Sequence, residues 1–219
     1  MKILYVILTC NNYLELRCPS SENTWVTKIN DKSDYIILSS DSTRENVIGY
    51  QTRDDYWSLP DKFLNFFRKF DFKDYEWVMT LDDDAFCFPN RLENYLLKHN
   101  FNYNDNISIG QRGCDFTEMG DTIFCGGAGT IFSRGCINSL KIFLDNEVSP
   151  IRYMCGDCCM FDWLKKINSQ LIHAINDDGH QIMFPNKYQH SDSGYLHSAI
   201  TYHYCDENDK NYLFENFLK

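Results

Sequence analysis

Three consecutive carboxylates, Asp82, Asp83 and Asp84, follow an apolar run at residues 77–81 that predicts a buried strand. In an extended chain alternate side chains share a face, so we expect Asp82 and Asp84 to point one way and Asp83 the other. Adjacent negative charges repel one another, and a divalent cation relieves that repulsion. Oxygen ligands, alone or with imidazole, favour Mg²⁺ or Mn²⁺ over zinc. On these residues alone, a solvated acidic turn is the alternative to a metal site.

Composition limits the partners of such a site. The chain has 219 residues, with 21 Lys and Arg against 31 Asp and Glu, and a net charge of −10. This balance repels a nucleic-acid backbone or an anionic membrane, so we expect no nucleic-acid partner. An anionic substrate could still bind through a bridging cation. Hydrophobic residues make up 43% of the chain, which excludes general disorder and predicts a single domain over residues 1–219.

The start of the chain and its cysteines bear on its location. The apolar run at residues 3–8 has strand length, far below the ~20 residues that cross a bilayer, and no signal-peptide pattern follows it. We therefore expect no transmembrane segment and a cytoplasmic protein whose ten cysteines are reduced. Cys10, Cys125 and Cys205 are predicted to be buried apolar residues. For the cluster at residues 155–159, structural zinc and a functional thiol are the alternatives.

Strand-like and helix-like segments alternate along the chain, which predicts an α/β sheet. Strands are expected at residues 2–9, 35–39, 76–81, 107–111, 130–132, 171–175 and 199–204. A capping box at Ser58 and Asp61 predicts the start of a helix with an apolar face at Leu59, Phe63, Phe66, Phe67 and Phe70. Further helices are expected at residues 89–98, at 135–144 after a Ser133 cap, and last at 157–167. Residues 177–198 are expected to form an irregular surface excursion.

The acidic segment also carries a resemblance. Residues 75–86 read YEWVMTLDDDAF, with NRL at 90–92, and resemble the metal motif of the fringe and core-1 β1,3-galactosyltransferases, glycosyltransferase family 31. Other segments resemble that family in the same order along nearly the whole chain: residues 3–9 with NTW at 23–25, residues 34–40, DYWSLPDK at 55–62, FCGGAGTIFS at 124–133 and ITYHY at 200–204.

The resemblance implies a fold, a reaction and a metal. The fold is the GT-A type, a central mixed, mostly parallel sheet flanked by helices, with a nucleotide-binding half at about 1–84 and a sugar and acceptor half at about 85–219. The reaction is inverting transfer of a hexose or N-acetylhexosamine from a UDP-sugar to the hydroxyl of a saccharide or glycoconjugate acceptor. The metal is Mn²⁺ or Mg²⁺, with Asp84, Asp82 and His203 as its ligands. Without the resemblance, the apolar run with Tyr202 and Tyr204 on either side favours the interpretation of His203 as a satisfied core histidine.

Inverting transfer needs a base for the acceptor proton. The resemblance assigns it to Asp157, because residues 156–161, GDCCMF, match the family's acidic segment before a helix. They depart from it at Gly156, where the family has an acid, and at Phe161, where it has a glycine. Two alternatives remain open: Asp157 is only a helix N-cap, or Asp162 is the base.

Further residues are candidates for donor binding. Gly126 and Gly127 border the donor sugar in the family, although a tight turn needs the same residues. The basic residues Lys62 and Arg17 are candidates for the diphosphate, and Asp82 and Asp83 for other parts of the donor. Polar residues at the ends of the first two expected strands, where a nucleotide would lie, are Thr9, Ser39 and Asp41.

Two other functions fit the same residues. A metal-dependent nucleotidyltransferase or phosphohydrolase could use the acidic triplet, although such sites usually hold two metals. A non-catalytic sugar-nucleotide-binding module on a decayed transferase scaffold would account for the departures around Asp157.

Overall fold

The computed structural model describes residues 1–116, 121–151, 155–188 and 196–218. Within these ranges the chain forms twelve β-strands, six α-helices and three short 3₁₀ helices. The strands are β1 Ile3–Leu8, β2 Asp34–Ser39, β3 Val47–Gly49, β4 Trp77–Asp82, β5 Phe86–Cys87, β6 Ile107–Gly110, β7 Arg112–Phe116, β8 Asp121–Phe124, β9 Thr130–Ser133, β10 Gln170–His173, β11 Met183–Phe184 and β12 Thr201–Tyr202. The helices are α1 Asn11–Glu22, α2 Leu59–Lys69, α3 Pro89–Lys98, α4 Arg134–Asn146, α5 Gly156–Lys166 and α6 Glu207–Phe217. The 3₁₀ helices are Trp25–Lys28, Tyr56–Ser58 and Gly126–Ala128.

A central seven-stranded sheet has the order β10-β6-β9-β4-β1-β2-β3. Strand β9 is antiparallel to both of its neighbours, and every other adjacent pair is parallel. The expected mixed, mostly parallel sheet is therefore confirmed. In the register of β1 with β4, Leu8 pairs with Asp82, so both strands end at the same edge of the sheet. That edge carries the acidic triplet.

Apolar clusters cover both faces of this sheet, as parallel strands require. Alternate residues of β1 divide between them: Ile3, Tyr5 and Ile7 join the cluster that includes Trp25 and residues of α3, while Leu4, Val6 and Leu8 join the cluster that includes residues of α2, α4 and α5. All six of these β1 residues are buried. The strand that leads into the site is thus fixed from both sides.

The helix starts show one correct and one incorrect cap. Helix α4 begins as predicted, because Oγ of Ser133 accepts a hydrogen bond of 3.0 Å from the backbone N–H of Cys136. Helix α2 forms with the predicted apolar face buried, but the predicted capping box at Ser58 is wrong. The Ser58 hydroxyl instead donates to the backbone carbonyls of Arg53 and Asp55, which stabilises the turn before the helix.

The C-terminal part differs most from the prediction. The helix predicted as the last, α5, is followed by α6, which starts with a capping box between Asp206 and Asp209. In the described part of 177–198, Ile182 and Leu196 are buried and β11 pairs with β12, so a surface excursion is wrong for these residues. The strand predicted at 199–204 is reduced to the two residues of β12, in a small sheet with β5 and β11. No helix in the described ranges is long and apolar enough to cross a membrane.

Candidate functional site

The acidic triplet divides at the end of β4 as strand alternation predicts. Asp83 turns inward: it is buried, its Oδ2 accepts a 2.6 Å hydrogen bond from Oγ1 of Thr9, and its Oδ1 lies 3.0 Å from Nη1 of Arg17. Asp82 and Asp84 turn toward His203. Nη1 of Arg17 also lies 3.4 Å from Oδ2 of Asp84, so this single cation faces two of the three carboxylates.

His203 brings an imidazole to these two carboxylates. Its Nε2 lies 3.1 Å from Oδ1 of Asp84 and 3.5 Å from Oδ2 of Asp82. One ligand atom from each of the three residues lies within 4.8 Å of the others, so the cluster could hold a metal ion. The backbone fixes this arrangement, because the N–H of His203 donates to the carbonyl of Phe184 and that of Cys205 donates to the carbonyl of Asp84.

The charges at the cluster depend on one another. Burial acts to lower the pKa of His203, but the close contact of its imidazole with the carboxylates of Asp82 and Asp84 raises it to about 9. Burial acts to raise the pKa of the Asp84 carboxyl, yet His203 and Arg17 hold it below the ordinary value. Although Nε2 of His203 is near, Oδ1 of Asp84 is buried and makes no well-oriented hydrogen bond. An oxygen in that state is suited to a cation.

Asp157 lies in the first turn of α5, beside the glycine-rich segment. Its Oδ2 accepts a 3.1 Å hydrogen bond from the backbone N–H of Gly126. The interpretation of Asp157 as the N-cap is wrong, because the N-cap is Cys155, whose Sγ accepts from the N–H of Cys158. Burial, then the charge of Asp82, raises the pKa of Asp157 to about 6. A carboxylate with that pKa can take a proton near neutral pH.

Gly126 and Gly127 leave room for the two functional side chains. A Cβ at position 126 would lie 2.2 Å from Oδ1 of Asp157, and a Cβ at position 127 would lie 2.2 Å from Cε1 of His203. Both distances are far below van der Waals contact. The two glycines therefore allow the close approach of the candidate base and the candidate ligand to the same 3₁₀ turn.

The other predicted donor-binding residues fall into two groups. Lys62 is buried, and its ammonium donates to the carbonyl of Thr9 at 2.9 Å and to Oδ1 of Asp54 at 3.0 Å. Its contacts join the end of β1 to the loop before α2. Ser39, buried, donates to Oδ1 of Asn11, and the Nδ2 of Asn11 donates to the exposed carboxylate of Asp41.

A cleft of about 420 Å³ runs along these elements. The acidic triplet and Thr9 border it, together with Tyr13, Arg17 and Tyr56. The guanidinium carbon of Arg17 lies 3.9 Å from the centre of the Tyr13 ring, so the cation stacks on the aromatic face at the rim. The cleft thus joins the cation, the carboxylates and exposed aromatic side chains in one space.

Lys210 is a residue of the site that sequence reasoning missed. It is buried on α6, and its ammonium donates to Oγ of Ser21 at 2.7 Å and to the backbone carbonyl of Asp83. The contact spans 127 positions of the chain. A single lysine in a polar, C-terminal segment carries no local signal for such a contact, although the apolar face of α6 could have indicated the helix.

The expectation of reduced cysteines is wrong for part of the chain. Cys155 and Cys158 form a disulfide, and Cys125 is also disulfide-bonded. The start of α5 brings the Cα atoms of Cys155 and Cys158 to 5.5 Å, which suits the bond and leaves neither thiol for zinc. Cys205 is free and buried, and Cys10 is free but only partly buried.

The chain is similar to known proteins only at low sequence identity. No protein-family model matches the chain. A curated relative, chondroitin sulfate synthase 3 of Mus musculus, is 23% identical over 244 aligned residues. The alignment covers 98% of this chain but only 27% of that protein, so the chain spans about a quarter of the relative's length.

Solved structures of glycosyltransferases share the architecture. A glycosyltransferase involved in glycosylation of the major capsid of PBCV-1 superimposes with a TM-score of 0.53 at 15% identity, over 97% of this chain and 99% of that one. The galactosyltransferase LgtC, solved with donor and acceptor sugar analogues, gives 0.51 at 10% identity, over 100% of this chain and 97% of that one. Drosophila β1,4-galactosyltransferase 7, in complex with manganese, UDP-Gal and xylobiose, gives 0.50 at 9% identity, over 84% and 69%. Together with the mixed sheet, these similarities show that the chain has the GT-A fold.

Proposed function

We propose that this chain is a metal-dependent, inverting glycosyltransferase that moves a hexose or N-acetylhexosamine from a UDP-sugar to a saccharide hydroxyl. Membership of glycosyltransferase family 31 is part of the proposal. The observation that carries it is the cluster of Asp82, Asp84 and His203, with ligand atoms within 4.8 Å, at the sheet edge of a GT-A fold. Its support from elsewhere is that similar folds belong to proteins solved with sugar donors, one of them with manganese.

The donor set fits a divalent cation of the Mn²⁺ or Mg²⁺ type. Two carboxylates and one imidazole supply the oxygen and nitrogen ligands that these ions accept. The buried Oδ1 of Asp84, without a well-oriented hydrogen bond, is the orphaned atom that such an ion would satisfy. A bound divalent cation would supply charge neutralisation, both for the carboxylates and for the diphosphate of the leaving UDP.

Asp157 is the proposed base. As the acceptor hydroxyl oxygen forms its bond to the anomeric carbon, the bond from that carbon to the UDP oxygen breaks and the hydroxyl proton passes to a carboxylate oxygen of Asp157. Attack opposite the leaving group inverts the anomeric configuration. The pKa of about 6 leaves Asp157 mostly ionised at neutral pH, yet keeps it more basic than an exposed aspartate. The hydrogen bond from Gly126 orients the carboxylate.

The cleft of about 420 Å³ is the proposed donor site. Arg17 would exchange part of its contact with Asp83 and Asp84 for the diphosphate, since it is the half-exposed cation at the rim. Polar groups at the ends of β1 and β2 are proposed to bind the nucleoside: Thr9, Ser39 and Asp41. Lys62 supports this edge through Thr9 and Asp54, while Asp82, Asp83, Gly126 and Gly127 complete the proposed donor surroundings.

Product analysis tests this function. The chain is incubated with Mn²⁺, a panel of UDP-sugars and a panel of neutral saccharides, and the products are identified by mass spectrometry and by NMR of the anomeric proton. We expect intact UDP and a glycoside of inverted configuration, with the Asp157→Asn variant at least about 100-fold slower. Release of phosphate or pyrophosphate would support the nucleotidyltransferase or phosphohydrolase. Tight UDP binding without turnover of any donor, unchanged in Asp157→Asn, would support the non-catalytic module.

A further inference from the structure

Large exposed aromatic side chains collect around the candidate site. Among the described residues five aromatic side chains are largely exposed, and no phenylalanine is in this group. Three of the five are Tyr56, Trp57 and Tyr204, with exposed fractions of 67%, 52% and 59%. A fourth, Tyr13, is the one stacked under Arg17. A group of exposed aromatic side chains at a cleft is typical of a binding surface.

Contacts place Tyr204 and Tyr56 beside the proposed reacting groups, and Trp57 against Tyr56. The Tyr204 ring stacks on His203, with ring centres 3.8 Å apart. Tyr56 borders the cleft that contains Asp82, and its ring meets that of Trp57 edge to face at 5.3 Å. Within the described ranges, the hydroxyls of Tyr56 and Tyr204 make no hydrogen bond. Burial, followed by the charges of Asp157, Asp82 and Tyr204, raises the pKa of Tyr56, which agrees with a position close to these three residues.

The backbone of Tyr204 is held in an unfavourable conformation. Its φ of +55° lies in the left-handed region, which is uncommon for a residue other than glycine. Hydrogen bonds from His203 to Phe184 and from Cys205 to Asp84 fix the chain on both sides of it. Strain maintained by such anchors is typical of functional positions. Here it keeps an exposed ring against the candidate metal ligand.

We propose that Tyr56, Trp57 and Tyr204 form an acceptor platform, a surface that binds a neutral pyranose ring and presents its hydroxyl to Asp157. This inference rests on the proposed function and names its acceptor subsite. One face of a pyranose is lined by C–H groups, and the negative face of an aromatic ring attracts them. The two free tyrosine hydroxyls can bond the sugar's own hydroxyls at the edge of that contact.

Charge selects the class of saccharide. Asp82 borders two cavities, one of them lined also by Tyr56 and Asp55 and the other by Asp157, and the chain has a net charge of −10. An anionic sugar would meet repulsion there, whereas a neutral one would not. A nucleobase is the competing occupant for an aromatic platform. Tyr56 borders the proposed donor cleft together with Tyr13, Arg17 and Thr9, and it also lies close enough to Asp157 for that carboxylate to act on its pKa. The titration with UDP therefore decides between the two occupants.

The protein carries its own reporter for this test. Of the four tryptophans, Trp25, Trp77 and Trp163 are buried, so quenching of fluorescence by acrylamide reports mainly on Trp57. The full chain, with and without UDP and Mn²⁺, is titrated with methyl β-galactoside, methyl β-glucoside and methyl β-glucuronide. Binding to Trp57→Ala, and to Ile142→Ala as an exposed apolar control, is followed by saturation-transfer NMR of the glycoside ring protons.

We expect at least one neutral glycoside to reduce the quenching of Trp57 twofold or more in a saturable manner, and the glucuronide not to do so. Trp57→Ala should lose glycoside binding at least tenfold, by a factor that exceeds any change in its UDP affinity, while Ile142→Ala retains binding. The proposal is overturned if UDP itself shields Trp57 and its affinity falls with Trp57→Ala, or if only the glucuronide binds. It is also overturned if UDP and Mn²⁺ bind but no glycoside alters the quenching. A protein that fails to bind UDP contradicts the proposed function instead, and the glycoside titration without nucleotide still decides the platform.

Discussion

The backbone N–H of Gly126 donates to Oδ2 of Asp157 over 3.1 Å, and a methyl group on Gly126 would lie 2.2 Å from the other oxygen of the same carboxylate. The hydrogen bond orients Asp157, and a residue with a side chain at position 126 would displace this carboxylate. A methyl group on the neighbouring Gly127 would lie equally close to His203, 2.2 Å from its Cε1. One 3₁₀ turn therefore sets the positions of the proposed base and of a proposed metal ligand.

The two glycines give a matched pair of substitutions. Gly126→Ala should displace Asp157 and lower kcat at least tenfold, with Mn²⁺-dependent UDP binding within about threefold of the unsubstituted protein. Gly127→Ala should displace His203 and weaken Mn²⁺ binding at least tenfold. Steady-state kinetics and isothermal titration measure the two effects. Each variant is first checked for native thermal stability. Equal losses of kcat and of Mn²⁺ affinity in the two variants would contradict this division of roles.

The pKa of Asp157 sets the direction of the pH dependence. A general base acts as the carboxylate, so kcat/KM should rise as the pH is raised through the pKa and level off above it. Burial, and then the negative charge of Asp82, raises the pKa of Asp157 to about 6. A bound cation would neutralise Asp82 and remove its contribution, so the midpoint of the pH profile should lie at about 6 or below. A rate that is flat from pH 5 to pH 8, or that falls over this range, would argue against Asp157 as base.

Lys210 should act through the acidic turn. In Lys210→Met, the carbonyl of Asp83 and the hydroxyl of Ser21 lose their buried partner, which should cost about 1–3 kcal/mol of unfolding free energy. Mn²⁺ affinity should fall as well, because the turn that carries Asp82 and Asp84 loses its anchor. Lys187→Met is the control: this exposed lysine pairs with Asp206 and Asp209, and its loss should leave the free energy of unfolding almost unchanged. Equal effects in denaturant titrations of the two variants would contradict the anchoring role.

The disulfide joins Cys155 and Cys158, and the proposed base, Asp157, lies between these two residues in the sequence. Replacing both cysteines by serine keeps a hydroxyl at the N-cap while it removes the crosslink, so the comparison isolates the bond. We expect a loss of at most about 2 kcal/mol of stability, since the closed loop is short. We also expect a several-fold lower kcat with UDP affinity preserved, because the first turn of α5 is less fixed. Unchanged kcat in the double variant would show that α5 holds Asp157 without the crosslink.

Local patterns predicted the parts of the fold that local physics determines. The apolar runs of β1, β2, β4, β6 and β9 were recoverable because strands covered on both faces are nearly continuous apolar segments. Helix α3 was predicted at its observed bounds, since Pro89 and the apolar spacing both mark it. By contrast, β5, β11 and β12 have two residues each and exist only through pairing with distant segments. No window of sequence contains that pairing.

Within the site, the sequence predicted the carboxylates better than their surroundings. Alternation along the strand was sufficient to separate Asp83 from Asp82 and Asp84. The meeting of His203 with Asp84 could be expected only from a family resemblance, because it depends on the register of a small sheet. The cap formed by Cys155, the disulfides and the contact of Lys210 with Asp83 were missed. The contact of Lys210 depends on tertiary geometry, whereas the cap and the disulfide of Cys155 are local and were missed because cysteine is not a typical N-cap residue.

The most direct test of the central claim is thermal unfolding with UDP, GDP, CMP and ADP, each with Mn²⁺ and with chelator, in the unsubstituted protein and in Asp84→Ala. A ligand that binds only the folded state stabilises it by about 2.7 kcal/mol at a hundredfold excess over its Kd. We expect a shift for UDP that requires Mn²⁺ and disappears in Asp84→Ala, with smaller shifts for the other nucleotides. No shift with any nucleotide, or a UDP shift that persists with chelator and in Asp84→Ala, would contradict a metal-dependent UDP-sugar transferase.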